Sequence, residues 1–191
     1  MFVTIDGFHG TSLKSAKEIL NSNFELSTGD LEWLGNGVYF FISGISSKPE
    51  EQAERWSIAQ SWDKKSQSYR YNNYCVIKCK ININEDKLLD LTHESGLEIL
   101  EYLLNKFETK IQTLGKKLEY LDGFLINLAR GEGIFEIDVV KGNFYIKFAE
   151  ERIKGIRLRT SNSTICTVYK PNENLAETTV LKTGKIKNET F

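Results

Sequence analysis

Apolar and polar residues alternate from Phe2 to Phe8 and run into His9-Gly10-Thr11-Ser12. A period of two puts every second side chain on one face of a sheet, so this stretch predicts a strand ending in a polar turn. The period then changes to that of a helix. Leu13, Ala16, Ile19 and Leu20 share one face, Thr11 or Ser12 can cap its start, and Asn21-Ser22-Asn23 breaks it. Phe24 to Leu26 reads as a short strand. Two glycines in Trp33-Leu-Gly-Asn-Gly-Val-Tyr-Phe-Phe41 put a tight turn before a buried aromatic strand. Pro49 fits the first turn of a second helix reaching about Trp62, with Ala53, Trp56 and Ala59/Gln60 on one face.

From Asn73 the alternation returns, with Ile77, Cys79, Ile81 and Ile83 set against Lys78, Lys80 and Asn82, the pattern of a half-buried strand. Asp90 to Gly96 reads as a loop. Beyond it Leu97, Leu100, Leu104, Phe107, Ile111, Leu114, Leu118, Leu121 and Leu125 recur at spacings of three and four, a heptad-like stripe. Unbroken, it would be roughly 40 Å long at 1.5 Å per residue. Gly115 weakens its middle, so two packed helices fit equally well, and a helical layer or a partner-binding coiled coil would each use the stripe. After Gly133 come short candidate strands: Ile134 to Val140, Phe144 to Phe148, Ile156 to Leu158, Thr164 to Tyr169 and Thr178 to Leu181. Strands at both ends with helices between them predict an α+β domain with a mixed or antiparallel sheet, and a helical segment over 94–130. The polar stretch from Lys182 to Phe191 reads as a loosely held tail.

Composition narrows the class. The chain has 191 residues, of which 40% are hydrophobic and 27% charged; this fits one globular domain over 1–191 that buries roughly 70% of its unfolded surface without a staple. Three cysteines without CxxC spacing and only two histidines give no zinc pattern, so no metal is expected. Neither a membrane span nor a signal peptide is indicated, and a cytoplasmic protein is the expectation. The net charge of -1 gives no global attraction to nucleic acid or anionic lipid, so such binding would need a local patch.

His9-Gly10-Thr11 can offer an imidazole, a backbone free of side chain and a hydroxyl to one ligand, although it also reads as a capped helix start. Tyr39, on a strand after a glycine turn, can be a wall for a flat heteroaromatic ring or a piece of core. Taken together, the His-Gly-Thr strand end, Ala16 with Ile19-Leu20, Phe24, Trp33 to Phe41 and Ala53-Glu-Arg-Trp56 resemble the amino-terminal half of ADP-ribosyltransferases of the diphtheria-toxin/poly(ADP-ribose) polymerase type. The resemblance covers about fifty residues. It implies the split sheet of that fold and NAD as co-substrate. It also implies that His9 bonds the adenine-side ribose, that the Gly10 backbone holds the nicotinamide carboxamide, that Thr11 supports that turn, and that Tyr39 packs beside the nicotinamide, with Trp56 as the nearest candidate for a further contact.

The chain departs from that family in the third motif. Asp138-Val-Val-Lys141-Gly-Asn-Phe144 and Ser163-Thr-Ile-Cys-Thr-Val168 resemble the last segments of bacterial relatives, and the alignment puts Thr164 where the polymerases carry a Glu. A hydroxyl can bond a ribose but supplies no carboxylate for an oxocarbenium-like transition state. Asp138, or less directly Glu136, would have to supply it, the enzyme would have to work without it, or activity has been lost. Lys147, Arg152, Lys154, Arg157 and Arg159, against Glu150 and Glu151, form a basic segment beside Phe144, Tyr145 and Phe148, which reads as a solvated face or a grip on RNA or DNA; Lys64, Lys65 and Arg70 would extend it. The resemblance thus implies a mono-ADP-ribosyltransferase acting on a protein or nucleic-acid acceptor, of the kind used as a toxin with an antitoxin partner or in phage defence. A catalytically silent module of the same fold is the alternative.

Overall fold

The computed structural model describes residues 1–29, 31–115, 121–149, 152, 155 and 161–187. Its first strand, β1 (Phe2–Ser12), is longer than the alternation alone predicts. It pairs along its whole length with the antiparallel strand β5 (Asn73–Asn84), from Phe2 opposite Asn84 to Ser12 opposite Tyr74. His9-Gly10-Thr11 is therefore strand and not a turn, because a continuous ladder outweighs the loop preference of one glycine. Ser12 then caps α1 (Leu13–Asn21), its hydroxyl accepting from the Ser15 N–H at 3.0 Å. Phe24 is buried, but Phe24 to Leu26 is not a strand; an isolated bridge between Ser27 and Gly37 follows it.

The aromatic strand follows as β2 (Val38–Phe41), then α2 (Pro49–Ser61) with Pro49 in its first turn. A small hairpin, β3 (Trp62–Asp63) and β4 (Ser68–Tyr69), leads into β5. The segment after β5 contains a single 3-10 turn at Glu85–Lys87 and β6 (Leu88–Asp90), where the alternation gave no strand. The leucine stripe divides into α3 (Glu94–Lys106), α4 (Glu108–Thr113) and α5 (Leu121–Gly131). Gly115 has φ +63, the left-handed region that glycine tolerates, and Leu118 lies outside the described residues. Three shorter helices, rather than one long stripe or two packed helices, result: Leu103 and Phe107 meet Leu125 and Ala129, while Leu97 and Leu104 stay exposed.

The β-rich remainder comprises β7 (Val139–Tyr145), β8 (Asn162–Val168), a short helix α6 (Pro171–Asn174) and β9 (Leu175–Lys185). One strand, β7, replaces the two expected over Ile134 to Val140 and Phe144 to Phe148. The expected strand at Ile156 to Leu158 lies outside the described residues. The supposed tail is held as far as Ile186, whose N–H bonds the Asn72 carbonyl at 2.8 Å. Seven strands form one sheet in the order β6-β7-β8-β2-β1-β5-β9, antiparallel except for the β6/β7 pair, so the fold is α+β with a mixed sheet. On one face Phe8, Phe41 and Ile165 pack with Ala53 of α2 and Ile126 of α5; on the other Phe40, Ile77, Ile81 and Cys166 pack with Ala16 of α1. Among the described residues, no helix is long and apolar enough to cross a membrane.

Candidate functional site

The sheet is weakest at its centre. Strands β1 and β2 are joined by one residue pair, Phe8 and Phe41. Next to that pair the ring of His9, not a backbone N–H, bonds the Tyr39 carbonyl, from Nδ1 at 2.9 Å. A cavity of about 340 Å³ opens here, lined by His9 and Gly10 of β1, Gly37 just ahead of β2, Tyr39 of β2, and Trp56 and Gln60 of α2. The loop ahead of β2 adds Glu25, Ser27, Glu32 and Trp33. That volume lies at the small end of ligand pockets, roughly 300–1,000 Å³. It is room for a heteroaromatic ring and a sugar rather than for a whole dinucleotide.

Each lining group has a structural reason to be where it is. Burial lowers the pKa of His9, the bond to the Tyr39 carbonyl opposing that shift. A carbonyl oxygen only accepts, so Nδ1 carries the proton and Nε2 of the neutral ring is left as an acceptor. The edges of Phe24 and Phe40, with centroids 5.3 and 5.9 Å away, fix the ring plane. The hydroxyl of Tyr39 turns back on its own loop, accepting from the Leu34 N–H at 2.9 Å and donating to the Gly35 carbonyl at 2.7 Å. Burial pushes its pKa above the usual phenol value. Tyr39 is thus a fixed wall, not an acid or base. Gly35 has φ +83, which favours glycine, and the Asn36 N–H donates to Asn127 Oδ1 of α5 at 2.8 Å, which pins the turn.

Aromatic rings enclose the remainder. Trp33 stacks on Phe144 (5.4 Å, 25°) and meets Trp56 edge-on at 6.1 Å, and the Arg152 guanidinium lies 4.9 Å over the Trp56 ring. Gln60 donates from Nε2 to the Gly10 carbonyl at 2.9 Å. Gly10 matters first for packing, since a Cβ there would fall 1.8 Å from the Ala53 carbonyl oxygen of α2. The absence of its side chain admits a helix backbone rather than a ligand.

Of the residues expected at the site, His9, Gly10, Tyr39 and Trp56 come together and four do not. Thr11 is half-buried on β1 and does not line the cavity. Thr164 lies on the face opposite Tyr39: Tyr39 is across from Thr167, and three residues along a strand reverse the face. Its hydroxyl donates to Asn143 Oδ1 at 2.7 Å and accepts from the Ile45 N–H at 2.9 Å, tying β8 to β7 and to the loop after β2. Asp138 is buried outside the cavity, paired with Lys170 at 2.9 Å and Lys87 at 3.9 Å. Exposed Glu136 pairs with Lys87 at 2.8 Å. Neither carboxylate is offered to a ligand in the cavity. Of the basic segment, Lys147 and Arg152 are described and Lys154, Arg157 and Arg159 are not; Lys64 and Lys65 are exposed on the β3–β4 turn, and Arg70 bonds the Gln60 carbonyl.

Sequence reasoning missed Glu25, Glu32, Trp33 and Gln60. A polar Ser27-Thr28-Gly29 loop flanked by two glutamates was the available signal, and it has no periodicity to mark it. No family model matches the chain. It is similar to an uncharacterized protein of Methanocaldococcus jannaschii, 30% identical over 118 residues that cover 59% of this chain and 50% of that protein. The match thus spans about half the length of that relative.

Proposed function

We propose that the protein is an NAD-dependent mono-ADP-ribosyltransferase that breaks the nicotinamide glycosidic bond and passes ADP-ribose to a protein or nucleic-acid acceptor. The observation that carries this reading is the meeting of His9 and Tyr39 across the split between β1 and β2, with Trp56 beside them. In this reading the Tyr39 and Trp56 rings hold the flat nicotinamide, and His9 Nε2 accepts from a ribose hydroxyl. The Gly10 carbonyl takes the carboxamide once the Gln60 amide leaves it. Clamping both ends of the scissile bond favours a strained geometry close to the transition state. The proposed setting is the cytoplasm, with a toxin or phage-defence role and an antitoxin as partner.

One observation favours a silent module of the same fold: the Gln60 amide already occupies the Gly10 carbonyl. Incubation with NAD, with and without cell lysate, separates the two readings. Nicotinamide is followed by chromatography and adducts by mass spectrometry of protein and RNA. Lysate-dependent nicotinamide release that Tyr39→Ala abolishes supports the transferase, and the labelled fraction names the acceptor class. NAD binding without turnover supports the module.

A further inference from the structure

Cleavage of a nicotinamide glycosidic bond leaves positive charge on the ribose, and a nearby carboxylate is the usual way to stabilise it. Asp138, Glu136 and Thr164 are all spent elsewhere in the fold. Resting on the transferase reading, we propose that Glu32, on the loop before β2, is the catalytic carboxylate of this chain.

Two carboxylates line the cavity among the described residues, Glu25 and Glu32, and they differ in how they are held. Glu25 is exposed. Glu32 is half-buried, and its Oε1 accepts from the Ser27 hydroxyl at 2.7 Å, which aims the side chain and leaves the second oxygen unassigned to that bond. Its backbone is clamped from both sides. The Glu32 carbonyl accepts from the Gly35 N–H at 3.2 Å, within the turn that Tyr39 closes. It also presses on α5 at Gly123, where a Cβ would stand 1.9 Å from the Glu32 oxygen. Burial dominates the raised pKa of the Tyr39 phenol, and the nearby Glu32 charge adds to it in the same direction. A rigid frame holding a charge beside a developing cation is what makes electrostatic catalysis effective.

The step balances as a substitution at ribose C1′. The C1′–N bond breaks and its electron pair goes to the nicotinamide nitrogen, which leaves as neutral nicotinamide. The cationic ribose is held by the Glu32 carboxylate. The acceptor nucleophile then forms the new bond to C1′, and its proton passes to Glu32 and on to water.

The test compares wild type, Glu32→Gln, Glu32→Asp and Glu25→Gln in nicotinamide release from NAD, with NAD affinity measured separately by calorimetry. Glu32→Gln keeps the acceptor for Ser27, so the loop should stay folded, and a thermal melt checks this. A loss of roughly 10²–10³-fold in turnover, with NAD affinity within about threefold of wild type and partial rescue by Glu32→Asp, is the expected result. Turnover by Glu32→Gln equal to wild type overturns the assignment while leaving the transferase reading intact. So does a loss confined to Glu25→Gln. A wild-type protein that neither binds nor cleaves NAD overturns both.

Discussion

The β1–β2 and β7–β8 strand pairs treat their polar residues in opposite ways. Between β1 and β2 the ladder is a single pair, and the polar atoms freed there, on His9 and Gly10, line a cavity. Between β7 and β8 the ladder is continuous from Val139 opposite Val168 to Tyr145 opposite Asn162, and the polar residues there work within the fold. Thr164 bridges three segments and Asp138 anchors two lysines. Residue type alone does not make a site. The interruption of pairing does, because it leaves polar atoms whose partners must come from a side chain or a ligand.

The largest effect is expected at Gly10. Replacing it with Ala sets a Cβ against the backbone of α2, which can relieve the clash only by moving. A loss of about 3 kcal/mol is expected, or roughly 6–12 °C in melting temperature for a chain of this size. On the β7–β8 side the expectation is reversed in kind: stability falls while NAD binding and turnover do not. Asp138→Asn weakens the pairs with Lys170 and Lys87, and because both lysines are partly exposed the cost should be about 1–2 kcal/mol, measured by denaturant titration. Thr164→Val strands the Ile45 N–H and Asn143 and should cost about 1 kcal/mol, again with NAD affinity unchanged. A catalytic defect in either variant would return that residue to the site.

The smallest effect is a pH dependence at His9. Its folded pKa is depressed, so well above pH ~6.5 the ring is neutral in both folded and unfolded states and its contribution to stability is intact. As pH falls below ~6.5 the unfolded chain takes up the proton first and stability is lost, levelling off below the folded pKa. The slope from this one group is at most about 1.4 kcal/mol per pH unit. Denaturant midpoints between pH 7 and 5 should show this component in wild type and lack it in His9→Asn.

Legibility followed the same division. The β5 strand could be read from its alternation because Ile77, Cys79, Ile81 and Ile83 all bury one face. The β9 strand could be read only over Thr178 to Leu181. It is an edge strand, mostly exposed, with a register irregularity on its partner and Glu177 at φ +50, so no clean period marks its length. His9, Gly10, Tyr39 and Trp56 were legible because they belong to one local stretch with a joint pattern. Glu32 was not. Its position depends on Gly123 of α5 and on Asn127 holding the glycine turn, contacts between distant parts of the chain that no local pattern records. Thr164 was misplaced for a related reason: a shift of one residue in a strand exchanges the two faces of the sheet, and an alignment without register cannot see it.

The proposal that the split between β1 and β2 takes up the nicotinamide end of NAD is tested most directly by a calorimetric titration of NAD and of nicotinamide alone. Wild type, His9→Ala, Tyr39→Ala and Asp138→Asn are compared. If the split holds that end of the ligand, wild type and Asp138→Asn bind NAD alike, Tyr39→Ala weakens both ligands, and His9→Ala weakens NAD more than nicotinamide. Unchanged NAD affinity in both His9→Ala and Tyr39→Ala, or its loss in Asp138→Asn alone, would contradict it.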